Sequence, residues 1–297
     1  MQRIMSGAVK IAKSFSCTTT LRDGVEMPLF GLGTYWTEKG DDSAVERTVT
    51  DAIKLGYRLI DTAQFYENEE DVGRGVRKSG LPRDKIFVVS KLSWLCHGVE
   101  NTKKAIEESL QKLDIEYIDL FLIHTPKGGK ILETYDEILK FKAKGLIRSV
   151  GVSNFNIQHL EGLKNAGRPA PSVDQFELHP WQQRKELVEY CKKNDIAVMG
   201  YSPLGKGKKL DDAEMTKIAS KYKKSNAQFL IRWGVQNGFI TIPKSSKSER
   251  VKQNAEVFDF TISDEDMATL SVIKQWSCMS SGMTPDDFGK ISWEDLA

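Results

Sequence analysis

The chain has 297 residues, 40% of them apolar and 28% charged, so it can bury a large core as one big domain or two ordinary ones. With 43 basic and 41 acidic residues the net charge is +2, which argues against a nucleic-acid partner, and no run reaches the length of a membrane helix. Cys17, Cys96, Cys191 and Cys278 are scattered, with no paired spacing and no histidine cluster, so reduced thiols in a cytoplasmic protein without a bound metal are expected.

In chain order, residues 1–16 have basic but no acidic residues and read as an extension, only weakly like a transit peptide, ahead of a single domain over 17–297. TTTLRDGVEMPLF (18–30) then predicts a β-hairpin with Asp-Gly at its turn. After it, short β-branched or aromatic runs alternate with amphipathic stretches. The runs are LFGLGT, YRLIDT, KIFVVSK, IDLFLIHT, IRSVGVSN, SVDQFELH, IAVMGYS and FITIPKS.

Helical periodicity fills the gaps. DSAVERTVTDAIKLG sets Ala44, Val45, Val49, Ala52 and Ile53 on one face, and VENTKKAIEESLQKL does so with Ala105, Ile106, Leu110 and Leu113. DDAEMTKIASKY and SNAQFLIRWGVQN give two helices between the seventh and eighth runs, and SDEDMATLSVI carries an acidic first turn. Eight apolar runs, each followed by a helix, predict an α/β fold, a closed (β/α)8 TIM barrel with an N-terminal β-hairpin. A doubly wound sheet is the alternative, but VGRGVRKSG fits neither the spacing nor the strand-first setting of its glycine-rich turn.

Each run ends in polar chemistry: Gly33-Thr34-Tyr35, Asp61, Lys91, His124, Ser153-Asn154, Gln175, Tyr201-Ser202 and Lys244. Taken singly these are ordinary residues; Asp61, for example, could simply cap a helix. In a parallel barrel, however, they gather at one mouth, where active sites of such barrels form. An unpaired charge there would cost several kcal/mol, so Asp61 and Lys91 on neighbouring strands are expected to pair. Tyrosine is a weak acid with a pKa of about 10, and a nearby ammonium lowers that value. Tyr66 would then protonate a carbonyl oxygen oriented by a neutral His124. No side chain donates hydride, so a reduced cofactor is needed.

These residues resemble the aldo-keto reductase family from about Thr18 to Phe260. GVEMPLFGLGTY is similar to the family's opening segment, YRLIDTAQFYENE to its second-strand signature and IDLFLIH to its fourth-strand one. GVSNF, QFELHP, GYSPLG and IPKSSKSERVKQN follow in the order of its cofactor-binding segments. The resemblance implies a catalytic tetrad of Asp61, Tyr66, Lys91 and His124, and NADPH or NADP+ as cofactor. It implies nicotinamide held by Ser153, Asn154 and Gln175 and stacked on Tyr201, with Gly33, Thr34 and Asp61 close by. Ser202 and Leu204 would line the pyrophosphate path, Lys244, Ser245, Ser246 and Arg250 would surround the 2′-phosphate, and Gln253 and Asn254 would meet the adenine. The cations Lys244, Lys247 and Arg250 suit a phosphate dianion independently.

His124, where family members that reduce carbon–carbon double bonds carry glutamate, implies aldehydes and ketones as substrates. Thr125 and Ser93 stand where mammalian members have aromatics. The short TPKGGKILE connection is similar to the compact branch that includes prostaglandin and diketogluconate reductases. Tyr35, Phe65, Trp94, His124 and Thr125 would line the substrate pocket, in a protein expected to be monomeric. A nucleotide-sensing regulatory subunit of the same fold is the competing reading, since fold alone does not decide function. The tail WSCMSSGMTPDDFGKISWEDLA matches no family segment.

Overall fold

The computed structural model describes residues 10–35, 43–279, 285–288 and 290–296. Two antiparallel strands, β1 (Thr18–Thr20) and β2 (Glu26–Pro28), form the hairpin, turning at Gly24 with φ 84°. A side chain is strained at that φ, which explains the glycine after Asp23. Eight parallel strands follow: β3 (Gly31–Gly33), β4 (Leu59–Asp61), β5 (Phe87–Leu92), β6 (Ile118–Ile123), β7 (Ile147–Ser153), β8 (Val173–Glu177), β9 (Ala197–Tyr201) and β10 (Ile240–Thr241). Bridges from Phe30 to Thr241 and from Gly33 to Lys244 join the last strand to the first. The barrel predicted from the eight runs is therefore the fold.

Helices return the chain between strands. They are α1 (Ala44–Leu55), α2 (Glu69–Lys78), α3 (Val99–Leu113), α4 (Ile131–Ala143), α5 (Ile157–Asn165), α6 (Lys185–Lys193), α7 (Ala213–Ser220), α8 (Asn226–Gln236), α9 (Ser248–Ala255), α10 (Asp264–Ser271) and α11 (Pro285–Phe288). Both helices expected between the last two strands are present. Ser225 and Gln228 cap α8 reciprocally, and Ser263 caps α10 through the Asp266 N–H. Two core positions differ from the periodic reading. Ala44 and Leu110 are only half-buried, while Thr48, Thr102 and Ser109 are buried. A threonine or serine fits a buried position when its hydroxyl finds a partner, as Ser109 does on Glu69.

β5 and β6 are buried at every position, as strands covered on both faces must be. The hairpin closes the N-terminal end of the barrel, with Met27 and Leu29 buried and Leu29 N–H donating to Cys17 C=O at 3.0 Å. Residues 10–16 do not behave as a loose extension. Ala12 is buried, and the Phe15 ring lies 4.8 Å from Tyr57, 5.6 Å from Phe258 and 5.9 Å from Phe30. Residues 1–9 of the expected extension lie outside the described residues. The C-terminal ends of the strands are left to form the mouth.

Candidate active site

Parity places the charges. Asp61 ends β4, and its register partner on β5 is Val89. Lys91 lies two residues further along β5, on the same face as Val89, so both side chains point into the barrel near its mouth. Lys91 Nζ donates to Asp61 Oδ1 at 2.6 Å, to Thr62 C=O at 2.8 Å and to the Tyr66 hydroxyl oxygen at 3.2 Å. All three ammonium hydrogens therefore have acceptors. Asp61 Oδ2 accepts at 2.7 Å from Gln175, which reaches across the barrel from β8. Asp61 and Lys91 are both buried.

Tyr66 arrives by a short detour. A single 3₁₀ turn, Gln64–Tyr66, follows Asp61, and Glu67 then takes a left-handed φ of 55°. Gln64 donates to Ala105 C=O and Ser109 Oγ and accepts from Ser93 N–H, which pins the start of the turn. Asn68 accepts from Thr62 Oγ1 at 2.7 Å and donates to Thr34 C=O at 2.8 Å, which pins its end. The five-residue spacing from Asp61 thus folds the phenol back over the strand end.

His124 follows β6, with ring centroids 5.7 Å from Tyr66 and 6.3 Å from both Phe65 and Trp94. Its Nδ1 is buried and makes no hydrogen bond. Burial, with Lys91 adding to it, pushes the imidazole well below its usual range, so it is neutral at pH 7. Burial likewise raises Asp61 and lowers Lys91, and each pulls the other back. The three acceptors on the ammonium and the donors on the carboxylate, Lys91 and Gln175, favour the charged forms of both.

The expected lowering of the phenol pKa by the lysine is not what the site gives. Burial, then the negative charge of Asp61, raises Tyr66 well above 10, with Tyr201 and Tyr35 adding to it. The Lys91 charge is balanced by Asp61, so desolvation of the phenolate decides the sign.

The remaining predicted residues divide into groups. Asn154, with a left-handed φ of 60°, donates to His124 C=O at 3.0 Å and to Ser153 Oγ at 3.1 Å, and accepts from Tyr201 OH at 2.9 Å. Gln175 donates to Met199 Sδ as well as to Asp61, so both amide hydrogens are engaged. Thr34 is turned inward, its hydroxyl and N–H both on Asp61 C=O, while Gly33 pairs with Lys244. Ser202, at φ 51°, and Leu204 are half-buried in the turn after β9. Ser245 is buried and caps Lys247 N–H, and Ser246 is half-buried ahead of α9. Arg250 and Gln253 are exposed and Asn254 is buried, at helical spacing that aligns them along one side of α9.

Of the pocket residues, Tyr35 stands 4.9 Å from the Tyr66 ring and Phe65 stands 4.7 Å from Trp94. Thr125 is different: it is buried and its hydroxyl caps the turn Pro126–Gly128. That turn packs tightly on the loop after β5, since a Cβ at Gly128 would lie 2.2 Å from His97 Nδ1.

The sequence reading missed one cluster. Glu177, His179 and Cys278 bring ligand-type atoms within 4.8 Å of one another. Both Glu177 oxygens are occupied, however, by His179, Ser277 and the Cys278 N–H. In QFELHP the sequence pattern singles out Gln175 alone, and Cys278 lies in a tail without local signal. A cavity of about 720 Å³ also opens between α5, α6 and residues 271–275, and none of the four ionisable residues lines it.

Together, a (β/α)8 barrel and a buried carboxylate–ammonium–phenol chain beside a neutral imidazole define an oxidoreductase of the barrel class. The sequence pattern described as "Aldo/keto reductase family" matches residues 29–275, and the chain belongs to that family. It is 44% identical over 262 residues to the glyoxal reductase of Bacillus subtilis (strain 168), covering 88% of this chain and 94% of that one. It is 40% identical over 278 residues to the 9,11-endoperoxide prostaglandin H2 reductase of Trypanosoma cruzi (strain CL Brener), covering 93% and 96%. The crystal structure of a Bombyx mori aldo-keto reductase in complex with NADP superposes with a TM-score of 0.85 at 33% identity, covering 94% of this chain and 98% of that chain.

Proposed function

We propose that this protein reduces aldehydes and ketones to alcohols with NADPH, using Tyr66 as the general acid. The observation that carries the reading is the unbroken contact chain from Asp61 through Lys91 to Tyr66, at 2.6 Å and 3.2 Å. Lys91 donates to the phenol oxygen, so the phenol's own proton is left for a substrate oxygen. Once that proton is given, the ammonium faces the phenolate, and Asp61 keeps the lysine charged. Neutral His124 can donate to the same carbonyl oxygen and fix its direction. Tyr35, Phe65 and Trp94 surround the place where the carbonyl's substituent would lie.

The residues toward α9 fit the dinucleotide. The first N–H groups of that helix, Ser245 and Ser246 before it, and the exposed Arg250 and Lys247 suit a phosphate dianion. Gln253 and Asn254, further along the same side, would meet the base. Near Tyr66, Ser153, Asn154 and Gln175 offer the amide-binding groups for the nicotinamide. The Tyr201–Asn154 hydrogen bond fixes the plane of a ring suited to stacking. A bound reduced nicotinamide supplies the hydride that no side chain can.

The relative named a glyoxal reductase favours small reactive carbonyl compounds as substrates. The test mixes the protein with NADPH and either glyoxal or 4-nitrobenzaldehyde and follows the loss of cofactor absorbance. Steady turnover is expected. Binding of NADPH without turnover would favour the nucleotide-sensing alternative, and failure to bind it would remove the cofactor reading.

A further inference from the structure

Ser277 and Cys278 of the C-terminal tail are tied to the mouth by one buried carboxylate, while Ile291 and Leu296 further on dock on α5 and the start of α4. Glu177 ends β8, two residues beyond Gln175 and on the same face of the strand. Its Oε1 accepts the Cys278 N–H at 2.7 Å and lies 2.7 Å from His179 Nε2, and its Oε2 accepts the Ser277 hydroxyl at 2.6 Å. Burial pushes this carboxyl up, but His179, Ser277 and the Cys278 N–H outweigh it and hold the group below its usual range, charged at pH 7.

What the tail touches matters more than what holds it. Glu177 pairs in register with Tyr201, the residue before Ser202. Lys208, in the turn after β9, donates to Cys278 C=O at 3.0 Å. The Trp276 ring packs against Gly205, where an added Cβ would stand 3.3 Å from it, and the Trp276 N–H donates to Trp181 C=O at 2.5 Å. Lys209 lies 5.3 Å from the Trp276 ring and 5.1 Å from the Trp181 ring. Residues 276–278 therefore lie between the end of β8 and the turn after β9.

We propose that Glu177 is a positioning residue for dinucleotide binding: its carboxylate latches Ser277–Cys278 to the end of β8, beside its register partner Tyr201, and makes the tail a wall of the cofactor site. This rests on the reading above that the nicotinamide and pyrophosphate lie along Tyr201, Ser202 and Leu204. The carboxylate suits the task because one group accepts from two successive tail residues, whose separate hydrogen bonds to water would be lost on burial. Turning off its acceptors frees the tail without touching Asp61, Lys91, Tyr66 or His124.

The test compares Glu177→Ala, Glu177→Gln and the parent enzyme. Tail release is read by mass-mapped alkylation of Cys278 in the native protein, with buried Cys191 as the internal reference. Cofactor binding is read by the NADPH dissociation constant, and chemistry by kcat. In Glu177→Ala, Cys278 should alkylate at least about tenfold faster than in the parent while Cys191 stays protected, the scale of losing a charged hydrogen bond. The NADPH dissociation constant should rise by a similar factor, with kcat at saturating NADPH within about twofold. Glu177→Gln keeps an acceptor for the Cys278 N–H and should recover most of both effects.

If Glu177→Ala does not fold, Ser277→Ala and Lys208→Ala carry the test. Both leave the carboxylate paired with His179 and the Cys278 amide, and each should give smaller shifts in the same direction. Unchanged Cys278 protection would overturn the latch. A freed tail with parental NADPH affinity would also overturn the proposal, leaving Glu177 a structural cap alone. If the parent enzyme itself binds no NADPH while Cys278 still becomes reactive in the variant, the cofactor reading fails and the tail contact stands.

Discussion

Lys91 Nζ lies 2.6 Å from Asp61 Oδ1 in a space where the lysine side chain has 0% and the aspartate 3% of its surface exposed. A pair this enclosed cannot be read as a surface salt bridge. Removing one partner leaves the other charged and dry.

Lys91→Met should therefore destabilise the protein by about 3–5 kcal/mol as well as cripple reduction. Urea unfolding measures the first and NADPH oxidation the second. The double variant Asp61→Leu/Lys91→Met should regain most of the lost stability and none of the activity. If the double variant is as unstable as the single, the loss comes from packing rather than an unpaired charge.

Tyr66→Phe removes only the hydroxyl at the end of the chain of contacts. Turnover should fall by about 10²–10⁴-fold, the usual worth of a positioned acid. NADPH binding and the thermal midpoint should stay close to parental, since Lys91 keeps Asp61 and Thr62 as acceptors. Full activity in the variant would move the acid elsewhere.

Asp174 has no side-chain exposure to water, and neither of its oxygens makes a well-formed hydrogen bond. Burial raises its carboxyl well above the usual range, with the Phe155 N–H and Arg184 opposing. A raised folded-state value means that the native protein binds the proton more tightly than the unfolded chain. Stability is then lost as pH rises from the unfolded value of 3.8 through the folded one. Asp174→Asn should stabilise the protein at pH 8 by about 1–3 kcal/mol. The gain should shrink as pH falls through the folded value, because a protonated carboxyl already resembles the amide. Denaturant midpoints of both proteins between pH 5 and 8 give the answer, and a pH-independent difference would sink it.

Arg250→Ala tests the dinucleotide assignment at α9. It should weaken NADPH by about 10–100-fold, the range for losing a charge-assisted contact to phosphate, and leave NADH nearly unchanged. Dissociation constants for both cofactors decide it. Equal losses would mean that the guanidinium does not meet the 2′-phosphate.

Phe15→Ala probes the segment ahead of the hairpin. The ring is half-buried among Tyr57, Phe258 and Phe30, so its loss should cost about 2–3 kcal/mol, short of a full core deletion. Because Phe15 packs beneath the barrel, kcat should not change. An unaltered unfolding midpoint would return these residues to a loose extension.

Much of the architecture was legible in the sequence because its signal is local. A run such as IDLFLI is apolar at every position because both faces of β6 are covered, and the residue after each run falls at the mouth by topology alone. Asp61 and Lys91 could be paired in advance because neighbouring parallel strands with the right parity must bring them together. Thr125 was less legible: its place after β6 suggested the pocket, and the structure adds that its hydroxyl accepts from Lys127 N–H of its own loop at 3.4 Å.

The sequence by itself determined which groups reach the mouth: eight strand–helix units and the polar residue that closes each strand. Only the tertiary structure decided how those groups are tuned and what encloses them. Gln175 meets Asp61 across 114 residues and Ser277 meets Glu177 across 100, contacts for which no short stretch carries a pattern. The direction of the Tyr66 shift is likewise a property of the closed barrel. Nearest-neighbour charge predicted a more acidic phenol, but exclusion of water opposes any phenolate, and that exclusion exists only once all the walls are in place.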